Sequence, residues 1–271
     1  MNASLISSPS VWRHRSRRAQ WLLFLGWLAL LMLFSWSFQV MTQETIWAFV
    51  TDAPKQAADI GGRMLPPAWS FTGELLYPLW ETFNIATLGT ALGVMMAVPV
   101  AFLAARNTTP SAWLARPFAL LIIVSSRSIN SLIWALLLVA ILGPGMLAGI
   151  IAIALRSIGF VGKLLYETIE EIDQRQVEAV TATGASSAQI MTWGIMPQVT
   201  PSLASTSLFR WDINIRESTI LGLVGAGGIG LKLESALGVL AWPRVTMILI
   251  AILLTVIASE WLAAWLRQRL I

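Results

Sequence analysis

Apolar residues in this chain gather into long runs instead of alternating or recurring every third or fourth position. Six of the runs approach the roughly 20 residues that a helix needs to cross a bilayer. They extend from about Ala19 to Phe38, Leu79 to Ala105, Pro117 to Leu142, Met146 to Tyr166, Ser202 to Val224 and Val245 to Leu266. Gly143, Pro144 and Gly145 stop the third run in a tight turn. Between the first two runs, Gln39 to Tyr77 is mixed and broken by Pro54, Gly61, Gly62, Pro66 and Pro67, with room for one interfacial helix. The stretch Glu167 to Gln189 is too hydrophilic for lipid. In the second run Gly89, Gly93 and Ala97 recur every four residues, a small face against which another helix packs closely, and Pro99 is expected to kink it.

Composition narrows the picture further. At 56% hydrophobic and 12% charged, the 271 residues are too oily for a soluble domain and leave no room for a separate soluble enzyme domain. With no cysteine and only His14, thiolate, Cys/His zinc, haem-thiolate and iron–sulfur chemistry are excluded. His14 reads as part of the basic flank Arg13 to Arg18 before the first run. That run is expected to be an uncleaved anchor, because Trp36, Phe38 and Val40 are too bulky for the cleavage site that Ser35 and Ser37 would otherwise suggest. The net charge of +4 points to lipid and membrane orientation and not to nucleic acid. Of the basic residues other than the four arginines taken up next, ten fall on the side of the amino terminus, Lys163 near the end of the fourth run among them, and four (Lys55, Arg63, Lys232, Arg244) on the other, so both termini are expected in the cytoplasm.

Four arginines, Arg127, Arg156, Arg210 and Arg216, lie inside the runs. A mid-bilayer arginine costs from ~3 to more than ~10 kcal/mol, so each should be paired or face a watery path. Asp212 and Arg216 stand four residues apart and can pair on one helix face. Arg210 and Glu217 share a face with Asn214, but at seven residues apart a direct pair is not expected. With both acids spent, two positive charges stay unbalanced, which favours passage of an anion. Arg127 and Arg156 could instead snorkel to water.

Other motifs are weaker. Gly225, Gly227 and Gly230 satisfy G-x-G-x-x-G, yet no acid follows at the distance a dinucleotide fold needs and the next run is of spanning length, so these glycines, with Gly228, are read as close-packing residues near an outer gate. No Walker loop is present in the sequence. Glu167, Glu170, Glu171 and Asp173 read as a solvated helix face, not a metal site, and no Ser/His or paired-Asp site of an intramembrane enzyme stands within the runs.

The hydrophilic stretch carries a resemblance. Glu178-Ala179-Val180, then Gly184, then Gly194-Ile195-Met196-Pro197 resembles the cytoplasmic loop of binding-protein-dependent ABC importer permeases, departing from the pattern at Val180, Gly194 and Met196. Arg127-Ser-Ile-Asn130-Ser-Leu-Ile-Trp134, Gly159-Phe-Val-Gly162-Lys163, Arg210-Trp-Asp212-Ile-Asn214-Ile-Arg216 and the glycine run from Gly225 to Gly230 resemble the phosphonate and phosphite permeases of that class.

The resemblance implies an all-α, six-span membrane protein with a MetI-like type 1 core. Its parts would be a basic amino terminus and anchor (1–38), a periplasmic segment (39–78), a transmembrane module (79–266) with a coupling loop (175–197), and a cytoplasmic tail (267–271). It implies that Glu178, Ala179, Gly184 and Pro197 couple to an ATPase, while the charges within the runs make Arg127, Asn130, Arg156, Arg210, Asp212, Asn214, Arg216 and Glu217 the candidates to line a pathway. The implied partners are two ATPase copies, which carry ATP and Mg in place of any cofactor here, a periplasmic or surface binding protein, and a second copy of the permease. The alternatives from the sequence are another small cargo such as methionine, and a secondary anion transporter or channel.

Overall fold

The structure, a computed structural model, describes residues 17–270, and the flank Arg13, His14 and Arg15 lies outside the described residues. The chain divides into two compact units, Met1–Asp59 and Ile60–Ile271. In the first, α1 (Arg17–Gln43) is a 27-residue apolar helix that buries none of its residues. It runs five residues beyond the expected end at Phe38. After it, α2 (Trp47–Arg63) fills the mixed segment with an amphipathic helix that contains Pro54.

The second unit is a helical bundle, with no strand among the described residues. A 3₁₀ turn at Trp69–Phe71 leads into α3 (Thr72–Ala104), which starts seven residues before the apolar run does and continues through Pro99 to Ala104. Then come α4 (Ala115–Ser128), α5 (Ser131–Leu142) and α6 (Met146–Glu170). The polar segment forms α7 (Gln174–Ala182), the single turn α8 (Ser187–Gln189) and a π turn at Ile190–Ile195. These enter α9 (Met196–Leu221), and α10 (Ile229–Gly238) and α11 (Trp242–Leu270) complete the chain.

Two expectations from the apolar runs need correction. The third run is not one continuous helix: α4 and α5 meet at 90°. The polar residues Ser125 to Asn130 interrupt the run, Ile129 turns extended, and Asn130 caps α5 by accepting a hydrogen bond from the Leu132 N–H at 3.2 Å. Such a cap contributes about 1 kcal/mol and makes a break between helices favourable even in an apolar setting. The fifth helix starts at Met196, not near Ser202, because Pro197 sits in its first turn, where its missing N–H costs nothing. Among the described residues, four helices are long and apolar enough to cross a membrane, and up to six spans result if each bent pair counts as one.

The centre of the bundle is the contact between α3 and α6. Gly89 and Gly93 make it possible: a Cβ on Gly89 would sit 2.7 Å from Ile153 Cγ2, and one on Gly93 would sit 2.5 Å from Ser157 Cβ. Ala97 continues this fully buried stripe. One end of the bundle is closed by Phe71, Leu75, Ile229, Val245 and Ile248, the other by Ala101, Leu165, Ile169, Ile195 and Val199. The polar side chains described next lie between these two apolar ends.

Candidate functional site

At mid-bundle, α9 points a row of polar side chains at α3, α5 and α6. Arg210 is 2% exposed, and Ser157 Oγ accepts from its Nε at 3.1 Å while its guanidinium lies 5.3 Å from the Phe160 ring centre. Asn214, fully buried, donates to Thr90 Oγ1 at 2.7 Å and to Ser157 Oγ at 3.1 Å, which leaves its own Oδ1 without a partner. Trp211 Nε1 donates to Thr87 Oγ1 at 3.0 Å. One small hydroxyl, Ser157, thus joins α6 to two successive turns of α9.

Arg210 and Glu217 do pair directly, at 3.3 Å, contrary to the expectation from their spacing. Two extended side chains leaning toward each other along one face cover two helical turns. Glu217 is shared: its Oε1 is also 3.0 Å from Arg156 Nη1. The same Arg156 nitrogen reaches Asn130 Oδ1 at 3.3 Å and Ser131 Oγ at 3.2 Å, so the start of the half-helix α5 belongs to this cluster. Arg156, Arg210, Glu217, Asn130 and Asn214 are therefore brought together, with two positive charges on one negative.

Asp212 and Arg216 lie elsewhere on α9. They pair at 2.6 Å, and Ser259 of α11 donates to Asp212 Oδ1 at 3.0 Å. Arg216 also reaches Glu260 at 3.5 Å. Counting Glu260 corrects the charge balance: Arg156 and Arg210 on Glu217 leave one positive charge in the mid-bundle cluster, while Arg216 meets the two acids Asp212 and Glu260, so the two unbalanced charges expected from the sequence are not found. Arg127 does not join either group. It is exposed in the last turn of α4, where a cation suits the helix dipole, and its Cγ lies over Gly159. Ser126 bridges the same contact, donating to the Leu155 carbonyl and accepting from the Gly159 N–H.

The glycines Gly225, Gly227 and Gly228 all have positive φ (87°, 83° and 75°) and fold α10 back from the end of α9. Gly225 accepts from the Gly145 N–H at 2.9 Å, tying this turn to the one before α6. The first N–H groups of α10 are met by α3: Glu81 accepts from Gly228 at 3.2 Å and Thr82 Oγ1 from Ile229 at 2.8 Å. Gly230 packs backbone to backbone on Thr219 and Gly222.

At the opposite end, α7 presents Glu178 and Ala179 to the outside, both exposed. Asp173 caps α7 by accepting from the Arg175 N–H at 3.0 Å. Gln198, in the first turn of α9, accepts from the Asp173 N–H at 2.9 Å and donates to the Gly194 carbonyl at 2.8 Å. This clamps the start of α7 to the start of α9. Gly184 takes φ 78° at the turn after α7, and a capping box between Ser186 and Gln189 restarts the helix. Buried Gly194 faces Val177, and exposed Pro197 lies one residue before Gln198. The segment is therefore a short, braced helix pair joined rigidly to α9.

Sequence reasoning missed Ser157, Thr90, Thr87 and Ser131, whose side chains complete the mid-bundle cluster, and Glu260. Only Glu260 carried a signal, as an acid within the sixth apolar run. The hydroxyls look like ordinary small helix residues until α3, α6 and α9 are placed together. Among the described residues no group of three His, Cys, Asp or Glu side chains gathers to hold a metal.

Comparisons with known proteins agree with this architecture. The family of binding-protein-dependent transport system inner membrane components matches residues 89–271. The phosphite transport system permease protein PtxC of Stutzerimonas stutzeri is 38% identical over 211 residues, 78% of this chain and 76% of that protein. The phosphate-import permease protein PhnE of Mycolicibacterium smegmatis is 38% identical over 213 residues, 77% of this chain and 39% of that longer protein. Among solved structures, an inward-facing form of the MetNI methionine ABC transporter matches 75% of this chain and 99% of its own with a TM-score of 0.65; at 20% identity this speaks for the fold alone. An all-helical bundle of this type, a polar segment clamped to α9, and a family match over two thirds of its length make this chain a member of the binding-protein-dependent ABC importer permeases, the membrane component of such transporters.

Proposed function

We propose that this chain is the permease subunit of an ATP-driven importer for phosphonate, phosphite or a related phosphorus oxyanion. The observation that carries the reading is the mid-bundle cluster in which Arg156 and Arg210 share the single carboxylate of Glu217. A surplus of fixed positive charge within apolar walls attracts anions and repels cations. The similarity to phosphite and phosphate-import permeases supports the same cargo class.

In this proposal two copies of the permease flank a central pathway, each seating the 175–197 segment in one of two cytoplasmic ATPase subunits that hold ATP and Mg. Both termini are cytoplasmic, α1 anchors the chain, and a periplasmic or surface binding protein delivers the anion. Closing of the ATPase pair moves α7, and the Gln198 clamp passes that movement into α9. The cavity then opens outward, receives the anion, and returns on hydrolysis. Arg127 lines the cytoplasmic part of the route, Arg216 and Asp212 the second polar group, and the Gly225 to Gly230 turn forms the outer gate.

The test is uptake of labelled phosphite into vesicles holding the assembled transporter. Uptake is expected to require ATP and the binding protein and to survive collapse of the proton gradient. Uptake that follows the gradient and ignores ATP would instead favour a secondary anion transporter.

A further inference from the structure

Glu217 has a use beyond neutralising its neighbours, and we infer that its carboxylate is an internal stand-in for the cargo: it occupies the two arginines while the site is empty and is displaced by the arriving oxyanion. This rests on the phosphorus-oxyanion reading given above.

The cluster is graded in mobility. Arg210, with a side chain only 2% exposed, is fixed by Ser157 and by the Phe160 ring. Arg156 is 32% exposed, and its three contacts, to Glu217, Asn130 and Ser131, all use the one nitrogen Nη1. Its Nη2 and Nε donate to no protein atom among the described residues, so one edge of the guanidinium fork is free. Glu217 lies between, 14% exposed: Arg210 engages both of its oxygens, Nη2 on Oε2 at 3.3 Å and Nη1 on Oε1 at 3.5 Å, and Oε1 is shared with Arg156 Nη1 at 3.0 Å. A carboxylate and a phosphorus oxyanion make the same charge-assisted bidentate bonds to arginine. An anion meeting the free edge of Arg156 can therefore rotate it away from Glu217 without ever leaving a bare charge.

The charge count explains why an exchange suits a transporter. Without Glu217, two unpaired arginines in an apolar bundle would be costly when empty and would grip an anion too firmly to release it when full. With Glu217, the empty site carries one net positive charge, and binding replaces one negative partner by another. Glu217 is thus a positioning residue whose strength of attraction sets how easily cargo leaves.

The test compares wild type, Glu217→Gln and Glu217→Asp in the assembled transporter, reading ATP-driven uptake of labelled phosphite and, separately, retention of phosphite by the nucleotide-free complex without binding protein. Glu217→Gln is expected to retain phosphite at least about tenfold more tightly and to transport it at least about tenfold more slowly, with Glu217→Asp close to wild type. A merely structural role would weaken both retention and transport. If Glu217→Gln does not assemble in chloride buffer, phosphite present throughout preparation is expected to restore it at equal ionic strength. Retention no tighter than wild type, unchanged uptake, or failure of phosphite to restore an unassembled variant overturns the inference alone. A wild-type transporter that moves neither phosphite nor phosphonate overturns the cargo reading, and this inference with it.

Discussion

Gly230→Ala is expected to abolish a stable bundle. Its Cβ would overlap the Thr219 carbonyl oxygen and come within 2.8 Å of Gly222 Cα, and both obstacles are backbone. A flexible side chain could yield, but here the end of α9 and the start of α10 must separate. That would pull Ile229 and Leu221, each at most 1% exposed, out of their clusters. Overpacking of this kind costs about 3 kcal/mol or more, a large share of a typical domain's stability. The measurement is thermal unfolding of the purified permease complex. Gly238→Ala is the control: it lies in the same helix with nothing within 4 Å of its added Cβ, and it should leave the midpoint unchanged or slightly raised.

A second large effect is expected at Glu178. Reversing its charge, Glu178→Arg, should reduce ATP-driven uptake at least about a hundredfold while the chain still inserts and folds. The side chain is exposed and α7 buries no residue, so the bundle itself loses nothing. In the proposed assembly what changes is the surface offered to the ATPase, where a reversed charge would repel a partner group complementary to Glu178. Gly184→Val should act in the same direction but less strongly, because an L side chain at φ 78° costs only about 1 to 2 kcal/mol. The readouts are vesicle uptake and recovery of the ATPase with the purified permease. Wild-type uptake in Glu178→Arg would remove this residue from the coupling surface.

Local rules read much of the fold from the chain, and tertiary contacts account for the rest. Run length located α1, α3, α6 and α11 to within a few residues at most ends, since lipid solvation sets helix length. The spacing of Gly89, Gly93 and Ala97 anticipated close helix packing, because small residues act through backbone distance alone. The four-residue spacing of Asp212 and Arg216 similarly led to their ion pair. The right-angle break between α4 and α5 was hidden because Ser125 to Ser131 interrupts an apolar run too briefly to lower its average. The sharing of Glu217 by Arg210 and Arg156 was hidden for a different reason: Arg156 comes from α6, and no periodicity within α9 reveals which neighbour faces it. The same holds for Ser157, whose role depends wholly on three helices meeting at one hydroxyl.

The central claim is that α7 and its turn are held by an ATPase and transmit its movement to α9. Because the chain contains no cysteine, a single one introduced by Ala179→Cys provides a unique attachment point for a photo-crosslinker. In the assembled transporter it should crosslink to the ATPase subunit in high yield in both the nucleotide-free and the nucleotide-bound state. Crosslinking only to lipid, with equal solvent labelling whether the ATPase is present or absent, would contradict the account.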